Sequence, residues 1–152
     1  MNKLNLKVPP AIVFLICLAL MLLINNYLPG LSLPPVPMWI VAIPVIVGIV
    51  VALAGVIQFS ILSTTVNPHR PGNTSTLVTN GVYKFTRNPM YLGLLLLLIA
   101  AVLKFGNPLG FLVVALFILY MNRFQIRPEE VAMEEKFGEE YLKYKRRVRR
   151  WI

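Results

Sequence analysis

The chain has 152 residues, a length that suggests a single domain. Hydrophobic residues make up 57% of it and charged residues 14%, and its mean hydropathy is +0.71. Soluble domains average about 45–50% apolar and about 25% charged residues, so this composition excludes an ordinary soluble domain and indicates a membrane protein. The formal net charge of +9 could suggest nucleic-acid binding. The cations flank apolar blocks, however, so the expected partners are membrane lipids with anionic headgroups, and no nucleic acid.

Metal and disulfide sites are not expected. Cys17 is the only cysteine and His69 the only histidine, which excludes a disulfide within the chain and a multi-histidine metal site. His69 lies in a polar loop, where a solvated histidine is more usual than a catalytic one. Aspartate is absent, and all six acidic residues are glutamates between Glu129 and Glu140, which removes most two-carboxylate schemes from the rest of the chain.

Four apolar runs predict four transmembrane helices, and hence an all-α integral membrane protein with one membrane domain. The runs cover residues 11–28, 38–62, 89–103 and 108–125. The first run would span roughly 27 Å at about 1.5 Å per residue, close to the hydrocarbon thickness of about 30 Å, although an uncleaved signal anchor would look similar. The turn between the last two runs predicts a helical hairpin.

Glycines in the second run, Gly48 and Gly55, could allow close helix contact, and a homodimer would be compatible with them.

Two polar regions interrupt this pattern. The first is a loop over residues 63–88, rich in Thr, Ser, Asn, Gly and Pro. The second is a C-terminal helix over residues 128–146, whose start carries Pro128, Glu129 and Glu130. An apolar-aromatic stripe on this helix predicts docking at the membrane interface: Met133, Phe137, Tyr141 and Tyr144. Gly138 interrupts the stripe, and a modest cost in helix stability is expected from it.

Cations determine the expected orientation. With four spans, both termini and the loop 63–88 lie on the same side of the membrane, and nearly all cations lie there with them. The opposite side has only Lys104. The positive-inside rule therefore predicts that the loop and both termini are cytoplasmic.

Residue chemistry alone does not decide whether the candidate site residues have a structural or a functional role. Glu129 and Glu130 could stabilise a helix N-terminus or bind a cationic or hydroxyl-bearing ligand, and the two interpretations are equally good. Tyr83 and Tyr91 could belong to an interfacial aromatic belt. Arg87 could extend to lipid headgroups.

Two blocks of the sequence resemble the isoprenylcysteine carboxyl methyltransferase family, one of the phospholipid methyltransferase-like integral membrane methyltransferases. The stretch L-V-T-N-G-V-Y-K-F-T-R-N-P-M-Y-L-G, residues 77–93, resembles the family's L-V-T-x-G-x-Y-x-x-x-R-H-P-x-Y-x-G pattern. The second block comprises E-E at 129–130, F-G-E-E-Y at 137–141 and R-V-R-R-W-I at 147–152. The resemblance covers residues 60 to 152, and the earlier spans match in character only.

The resemblance implies a multispan methyltransferase that uses S-adenosylmethionine and no metal. Family contacts to the cofactor would fall on Ser75, Thr76, Leu77, Val78, Tyr83, Asn88, Pro89, Met90, Tyr91 and Glu129. A substrate-binding arginine of the family would fall on Gln125, where Arg123 or Arg127 could compensate, and Arg147 matches a further family arginine with a catalytic role. The methyl acceptor would be lipophilic: an isoprenylcysteine-like carboxylate, a lipid amine or a thiol.

Three residues depart from the family pattern. Asn88 stands where the family has histidine, and an amide cannot carry a proton in acid–base chemistry. Gln125 replaces an arginine and Arg149 a proline, both where substrate recognition is expected. Two alternatives therefore remain: an NADPH-dependent membrane reductase of the sterol-reductase type, which has a similar R-H-P-x-Y-x-G block, and a non-enzymatic membrane scaffold.

Overall fold

The computed structural model describes residues 6–28, 32–61 and 77–152, and the regular secondary structure in these ranges is helical, without a strand. The predicted all-α class is confirmed. The main helices are α1 (Pro10–Tyr27), α2 (Met38–Ile61), α3 (Pro89–Phe105), α4 (Gly110–Tyr120) and α5 (Arg127–Arg147). A short 3-10 helix, Gly81–Lys84, precedes α3, and a π-helical segment, Met121–Ile126, joins α4 to α5.

Three helices in the described ranges are long and apolar enough to cross a membrane. They are α1, α2 and the continuous helix Gly110–Arg147, which has 38 residues. At about 1.5 Å per residue this last helix is roughly 57 Å long, well over the hydrocarbon thickness of about 30 Å, so its apolar first half is long enough to span. The shorter α3 is also apolar but has 17 residues, and the predicted fourth span depends on it.

Helices α2 and α3 approach closely at glycines. A Cβ atom on Gly93 would lie 2.6 Å from the Gly48 carbonyl oxygen and 2.6 Å from the Ala52 Cβ. A Cβ on Gly55 would lie 2.9 Å from Pro89 Cγ. Because these positions carry no side chain, the two backbones pack against one another, which is the usual device of membrane helices. The close contact predicted for Gly48 and Gly55 is confirmed, and it fixes the start of α3.

The hairpin predicted between the last two runs is present. Gly106 ends α3 in the left-handed conformation with φ 67°, and its amide donates to the Val102 carbonyl at 2.9 Å. Asn107 then accepts a hydrogen bond from the Leu109 amide at 3.0 Å and donates one to the Leu28 carbonyl at 2.9 Å. The turn is therefore tied to the end of α1.

The C-terminal helix differs from the simple expectation. It does not begin afresh at Pro128, because the π-helical segment continues α4 directly into α5. Gly138, at φ 51° and ψ −127°, breaks the helical conformation inside α5. The guanidinium of Arg150 consequently lies 2.8 and 2.7 Å from the carboxylate of Glu130, twenty positions earlier. A straight helix would separate them by roughly 30 Å, so Gly138 folds the tail back and is more than a modest interruption.

The apolar-aromatic stripe of α5 faces the protein. Tyr141 and Tyr144 are buried in a cluster with Val78, Tyr83 and Val148, and Met133 and Phe137 pack against this cluster. The interpretation of the stripe as a membrane-docking face is therefore wrong. The kink at Gly138 supplies the physical reason, since it brings the stripe onto the segment that precedes α3.

Candidate active site

A cavity lies where the segment before α3 meets the beginning of α5. It contains about 660 Å³ of space between atoms, part of which is open to solvent. Eight of the ten predicted cofactor-binding residues line it together: Leu77, Val78, Tyr83, Asn88, Pro89, Met90, Tyr91 and Glu129. The other two, Ser75 and Thr76, lie outside the described residues, as does His69.

Glu129 is the acidic group of the cavity. Its Oε1 accepts a hydrogen bond from the Tyr91 hydroxyl at 2.6 Å and another from Gln125 Nε2 at 3.2 Å. Burial raises the pKa of Glu129 to about 8, because these two hydrogen bonds offset only part of the cost of a desolvated charge. Without a ligand, Glu129 is therefore mostly protonated at neutral pH, and a cation or a set of donors would favour its ionised form.

Glu130 has the opposite environment. Arg87 approaches it at 3.0 Å, Arg150 binds it through two nitrogens, and Lys145 lies 3.9 Å away. Burial alone would raise its pKa, but the hydrogen bond from Arg150 and the three positive charges hold the pKa of Glu130 below its usual value. Lys145 also contacts Glu134. Glu130 is thus an ionised structural group at the wall of the cavity.

The two adjacent glutamates therefore differ in role, one facing the cavity and the other serving a structural purpose. Glu129 points to a ligand cavity, and Glu130 holds an ion cluster together. The first turn of α5 has no side-chain cap hydrogen bond, so stabilisation of that helix end by hydrogen bonding does not explain either residue.

The C-terminal segment of residues 148–151, here called the strap, is tied to the loop before α3. The carbonyl of Arg149 accepts from the Arg87 amide at 3.0 Å. The carbonyl of Arg150 accepts from Thr86 Oγ1 at 3.1 Å and from Asn88 Nδ2 at 2.9 Å. Asn88, which stands at the family's histidine position, therefore acts here as an amide donor that fastens the strap.

Tyr83 and Arg87 bring polar atoms into the cavity wall. The Tyr83 ring packs edge-on against Phe59 at 5.4 Å, and its carbonyl accepts from the Tyr144 hydroxyl at 2.8 Å. Burial raises the pKa of the Tyr83 hydroxyl, with Tyr144 and Glu129 adding to the effect. Burial also raises the pKa of Tyr141 to about 12, while Arg87 beside it acts in the opposite direction.

The predicted substrate and catalytic residues lie in different places. Arg127 is exposed and lines a polar groove together with Arg123, beside the cavity. Gln125 is buried and donates a hydrogen bond to Glu129, an acidic residue of the cavity wall. Arg147 is exposed and is not part of the cavity lining, whereas Arg150 reaches Glu130.

Sequence reasoning missed several residues of the cavity wall. Four of them line the cavity although the sequence predicts other roles: Arg87 at lipid headgroups, Glu130 as equivalent to Glu129, and Tyr141 and Tyr144 at the membrane interface. Arg87 belongs to the R-N-P motif, which was a usable signal. The aromatic spacing on α5 was a second signal, but only the kink at Gly138 shows which surface it faces.

Known proteins similar to this chain include methyltransferases. The sequence model of the family described as phospholipid methyltransferase matches residues 36–140. Protein-S-isoprenylcysteine O-methyltransferase of Mus musculus is 41% identical over 76 residues, which is 50% of this chain and 27% of the mouse protein. The Saccharomyces cerevisiae protein of the same name is 41% identical over 73 residues, 47% of this chain and 30% of its own length.

A shorter protein also matches part of this chain. An uncharacterized protein of Haemophilus influenzae is 56% identical over 63 residues, which is all of that protein and 41% of this chain. No solved structure matches this chain significantly. The family match covers more than half of the chain and includes the cavity-lining residues from Phe59 to Met133. The chain belongs to the phospholipid methyltransferase family.

Proposed function

We propose that this protein is an S-adenosylmethionine-dependent methyltransferase that acts on a lipophilic acceptor at a membrane surface. One observation carries the proposal: the eight described residues predicted to bind the cofactor line a single cavity, although they come from segments nearly forty positions apart in sequence. The family match and the methyltransferase relatives support methyl transfer over the reductase and scaffold alternatives.

The chemistry of the cavity wall fits this cofactor. S-adenosylmethionine supplies a methyl group on a positively charged sulfonium, together with ribose hydroxyls and an amino-acid group. Glu129 offers an acceptor for the ribose hydroxyls or the ammonium, held in place by Tyr91 and Gln125. Apolar and aromatic side chains surround it, among them Phe59, Met133 and Tyr83.

The protein's contribution to the reaction would be alignment and exclusion of water. No covalent enzyme intermediate is needed, since the acceptor can attack the methyl carbon directly while the sulfonium leaves as a neutral thioether. Holding the two reactants in line at short distance can supply roughly 7–11 kcal/mol of a barrier. The strap, bound by Thr86 and Asn88, holds in place the loop that carries Asn88 into the cavity wall.

The acceptor site is proposed from two adjoining grooves. An apolar groove between α1 and α4 contains Ile16, Leu116 and Phe117, and it ends at Arg123. Arg123 also belongs to the polar groove, which contains Arg127 and shares Glu130 with the cofactor cavity. This arrangement suits an amphiphile whose apolar chain lies along the helices and whose anionic group, such as a carboxylate, pairs with Arg123 or Arg127. A thiol acceptor would be more reactive at this position, because a nearby cation lowers the pKa of a thiol and so favours the nucleophilic thiolate.

Direct binding measurement in detergent tests the class. We expect calorimetric titration of the purified protein with S-adenosylmethionine to give micromolar-scale affinity, weakened by Glu129→Ala and by Tyr91→Phe, which removes only the hydroxyl. Glu139→Ala is the matched control, since Glu139 is an exposed acid of the same helix. Absence of binding to the parent protein would refute the proposed class, and unchanged binding in both site variants would refute the site.

Substrate class needs a separate experiment. Incubation with S-adenosylmethionine that carries a labelled methyl group, followed by extraction of membrane lipid and protein fractions, should place the label in a lipophilic product. A parallel titration with NADPH distinguishes the reductase alternative, for which binding of NADPH in place of S-adenosylmethionine would be required.

A further inference from the structure

Arg87 brings a buried cation with unused donors into the cavity. Its side chain is only 8% exposed, and its Nε and Nη1 atoms have no hydrogen-bond partner among the described residues. Nη2 is paired with Glu130 at 3.0 Å, and the Tyr141 hydroxyl lies beside the guanidinium. A buried guanidinium left with free N–H groups is unfavourable, so a ligand that accepts from them would be strongly stabilised.

Tyr83 adds a second donor of the same kind. It is 4% exposed, and its hydroxyl has no partner in the described ranges. Both Tyr83 and Arg87 line the cavity that contains Glu129. The backbone of each is fixed, because the Tyr83 carbonyl accepts from Tyr144 and the Arg87 amide donates to the strap.

Charge at this wall is also unbalanced. Among the described residues, Arg87, Lys145 and Arg150 contact only two carboxylates, those of Glu130 and Glu134. Arg150 already occupies both oxygens of Glu130, so Arg87 shares its only anion. One further negative charge placed against the free face of Arg87 would complete the cluster.

We propose that Arg87, assisted by the Tyr83 hydroxyl, binds the α-carboxylate of the cofactor's amino-acid group. This inference rests on the proposed function and adds an orientation to it. The amino-acid end lies against Arg87 and Tyr83, and Glu129 serves the hydroxyl- or ammonium-bearing part of the same molecule. The cavity thus has a cationic and an acidic wall that match the two kinds of polar group on the ligand.

Comparison of two ligands on the unaltered protein gives the first test. Decarboxylated S-adenosylmethionine lacks only the carboxylate, and calorimetry should show that it binds roughly 10- to 100-fold more weakly than S-adenosylmethionine, as expected for a lost charge-assisted hydrogen bond. Equal affinities would overturn the inference and leave the proposed function standing. Failure of both ligands to bind would overturn the proposed function, and the inference with it.

Substitution of Arg87 gives the second test. Arg87→Gln should bind S-adenosylmethionine roughly 10- to 100-fold more weakly while its affinity for the decarboxylated ligand stays unchanged. Glu130 keeps Arg150 and Lys145 in this variant, so the ion cluster is not left without a cation. A preference for the carboxylate that survives in Arg87→Gln would overturn the inference.

Two further variants serve as a control and as a substitute for Arg87→Gln. Arg146→Gln is the matched control: it makes the same charge change at an exposed arginine, and an equal loss of preference there would mean a general electrostatic effect and overturn the inference. If Arg87→Gln does not fold, Tyr83→Phe decides, since it removes one donor of the carboxylate site and nothing else. We expect a reduced preference in Tyr83→Phe, and an unchanged one would contradict the role of Tyr83.

Discussion

Glu129 and Glu130 are adjacent in sequence, yet burial raises the pKa of the first while an ion cluster lowers that of the second. The difference arises from their partners. Glu129 receives hydrogen bonds from two neutral groups, Tyr91 and Gln125, whereas Glu130 faces three cations. A neutral carboxyl and an ionised one side by side give the site one titratable group near physiological pH.

The raised pKa of Glu129 predicts a pH-dependent affinity for the cofactor. The folded protein without ligand keeps the proton up to about pH 8, so ligand binding that requires the carboxylate must first release it. Affinity should therefore rise about tenfold per pH unit from pH 6 towards pH 8 and then level off. Calorimetric titration of S-adenosylmethionine at several pH values measures this slope.

Glu129→Gln is the control for this prediction. It keeps the shape of the side chain but cannot ionise, so affinity should be lower and its dependence on pH between 6 and 8 should largely disappear. The same linkage has a consequence for stability: a raised carboxyl pKa makes the unliganded fold lose stability as pH rises through about 8. Glu129→Gln should not show that loss. An identical slope in both proteins would assign the titration to another group.

Asn88 is predicted to position the strap without carrying a proton. Asn88→Ala removes one hydrogen bond to the Arg150 carbonyl, worth about 1 kcal/mol, and should lower the melting temperature by about 2–4 °C. Asn88→His should restore the bond at pH 8, where a neutral ring N–H can donate. At pH 6 the charged ring beside Arg87 and Arg150 should destabilise that variant.

Thermal unfolding at the two pH values measures both effects. Asn80→Ala, at an exposed asparagine of the same segment, is the control and should change neither value. A gain of methyl-transfer activity in Asn88→His well above the parent protein would contradict the positioning role, because it would indicate that a proton carrier had been missing.

At the scale of elements, the shape of α5 depends on Gly138. Its φ of 51° and ψ of −127° are costly for any residue with a side chain, although nothing lies within 4 Å of a Cβ atom there. Gly138→Ala should therefore cost about 1–3 kcal/mol through backbone strain and favour a straighter helix. The ion pair of Glu130 with Arg150 would then open.

Limited proteolysis measures this change. With the tail folded back, Lys145 and Arg150 are engaged with glutamates and trypsin should cleave there slowly. In Gly138→Ala, cleavage should be faster and cofactor affinity lower. Glu140→Ala, an exposed neighbour, should behave like the parent protein, and equal cleavage of all three proteins would contradict the role of the kink.

Apolar runs made the membrane helices predictable, because their signal is local and strong. The hairpin at Gly106 and the close packing at Gly48 and Gly55 also follow from local chemistry. The direct junction through Met121–Ile126 and the fold-back at Gly138 did not follow, since each depends on tertiary contacts. A glycine in a helical pattern suggests only a less stable helix. The contact between Glu130 and Arg150 shows that the chain reverses its direction at Gly138.

On the scale of the whole molecule, the cavity brings together two blocks that the sequence predicts to lie on the same side of the membrane. The resemblance to a family identified the eight residues that meet there, because motif positions keep their order even when the fold is unknown. It did not identify Arg87 or the role of Glu130, whose importance depends on which partners surround them. Charge balance in three dimensions is not readable from one sequence.

The cytoplasmic orientation of the cavity remains a prediction, and it follows from the distribution of lysine and arginine. Three exposed lysines mark the relevant surfaces: Lys84 before α3, Lys104 in its last turn, and Lys143 near the end of α5. If α3 and α4 both span, Lys84 and Lys143 lie on the cytoplasmic side and Lys104 on the other.

Cysteine labelling tests this arrangement, including the short helix α3. Cys17 is the only native cysteine, so a Cys17→Ser background can receive Lys84→Cys, Lys104→Cys or Lys143→Cys one at a time. In intact bacterial cells, a membrane-impermeant maleimide should label only the Lys104→Cys variant, because the bilayer shields the cytoplasmic positions. In inverted vesicles the pattern should reverse, and retained binding of S-adenosylmethionine confirms that each variant is folded. Labelling of Lys84→Cys and Lys104→Cys from the same side would mean that the 17 residues of α3 do not cross the membrane.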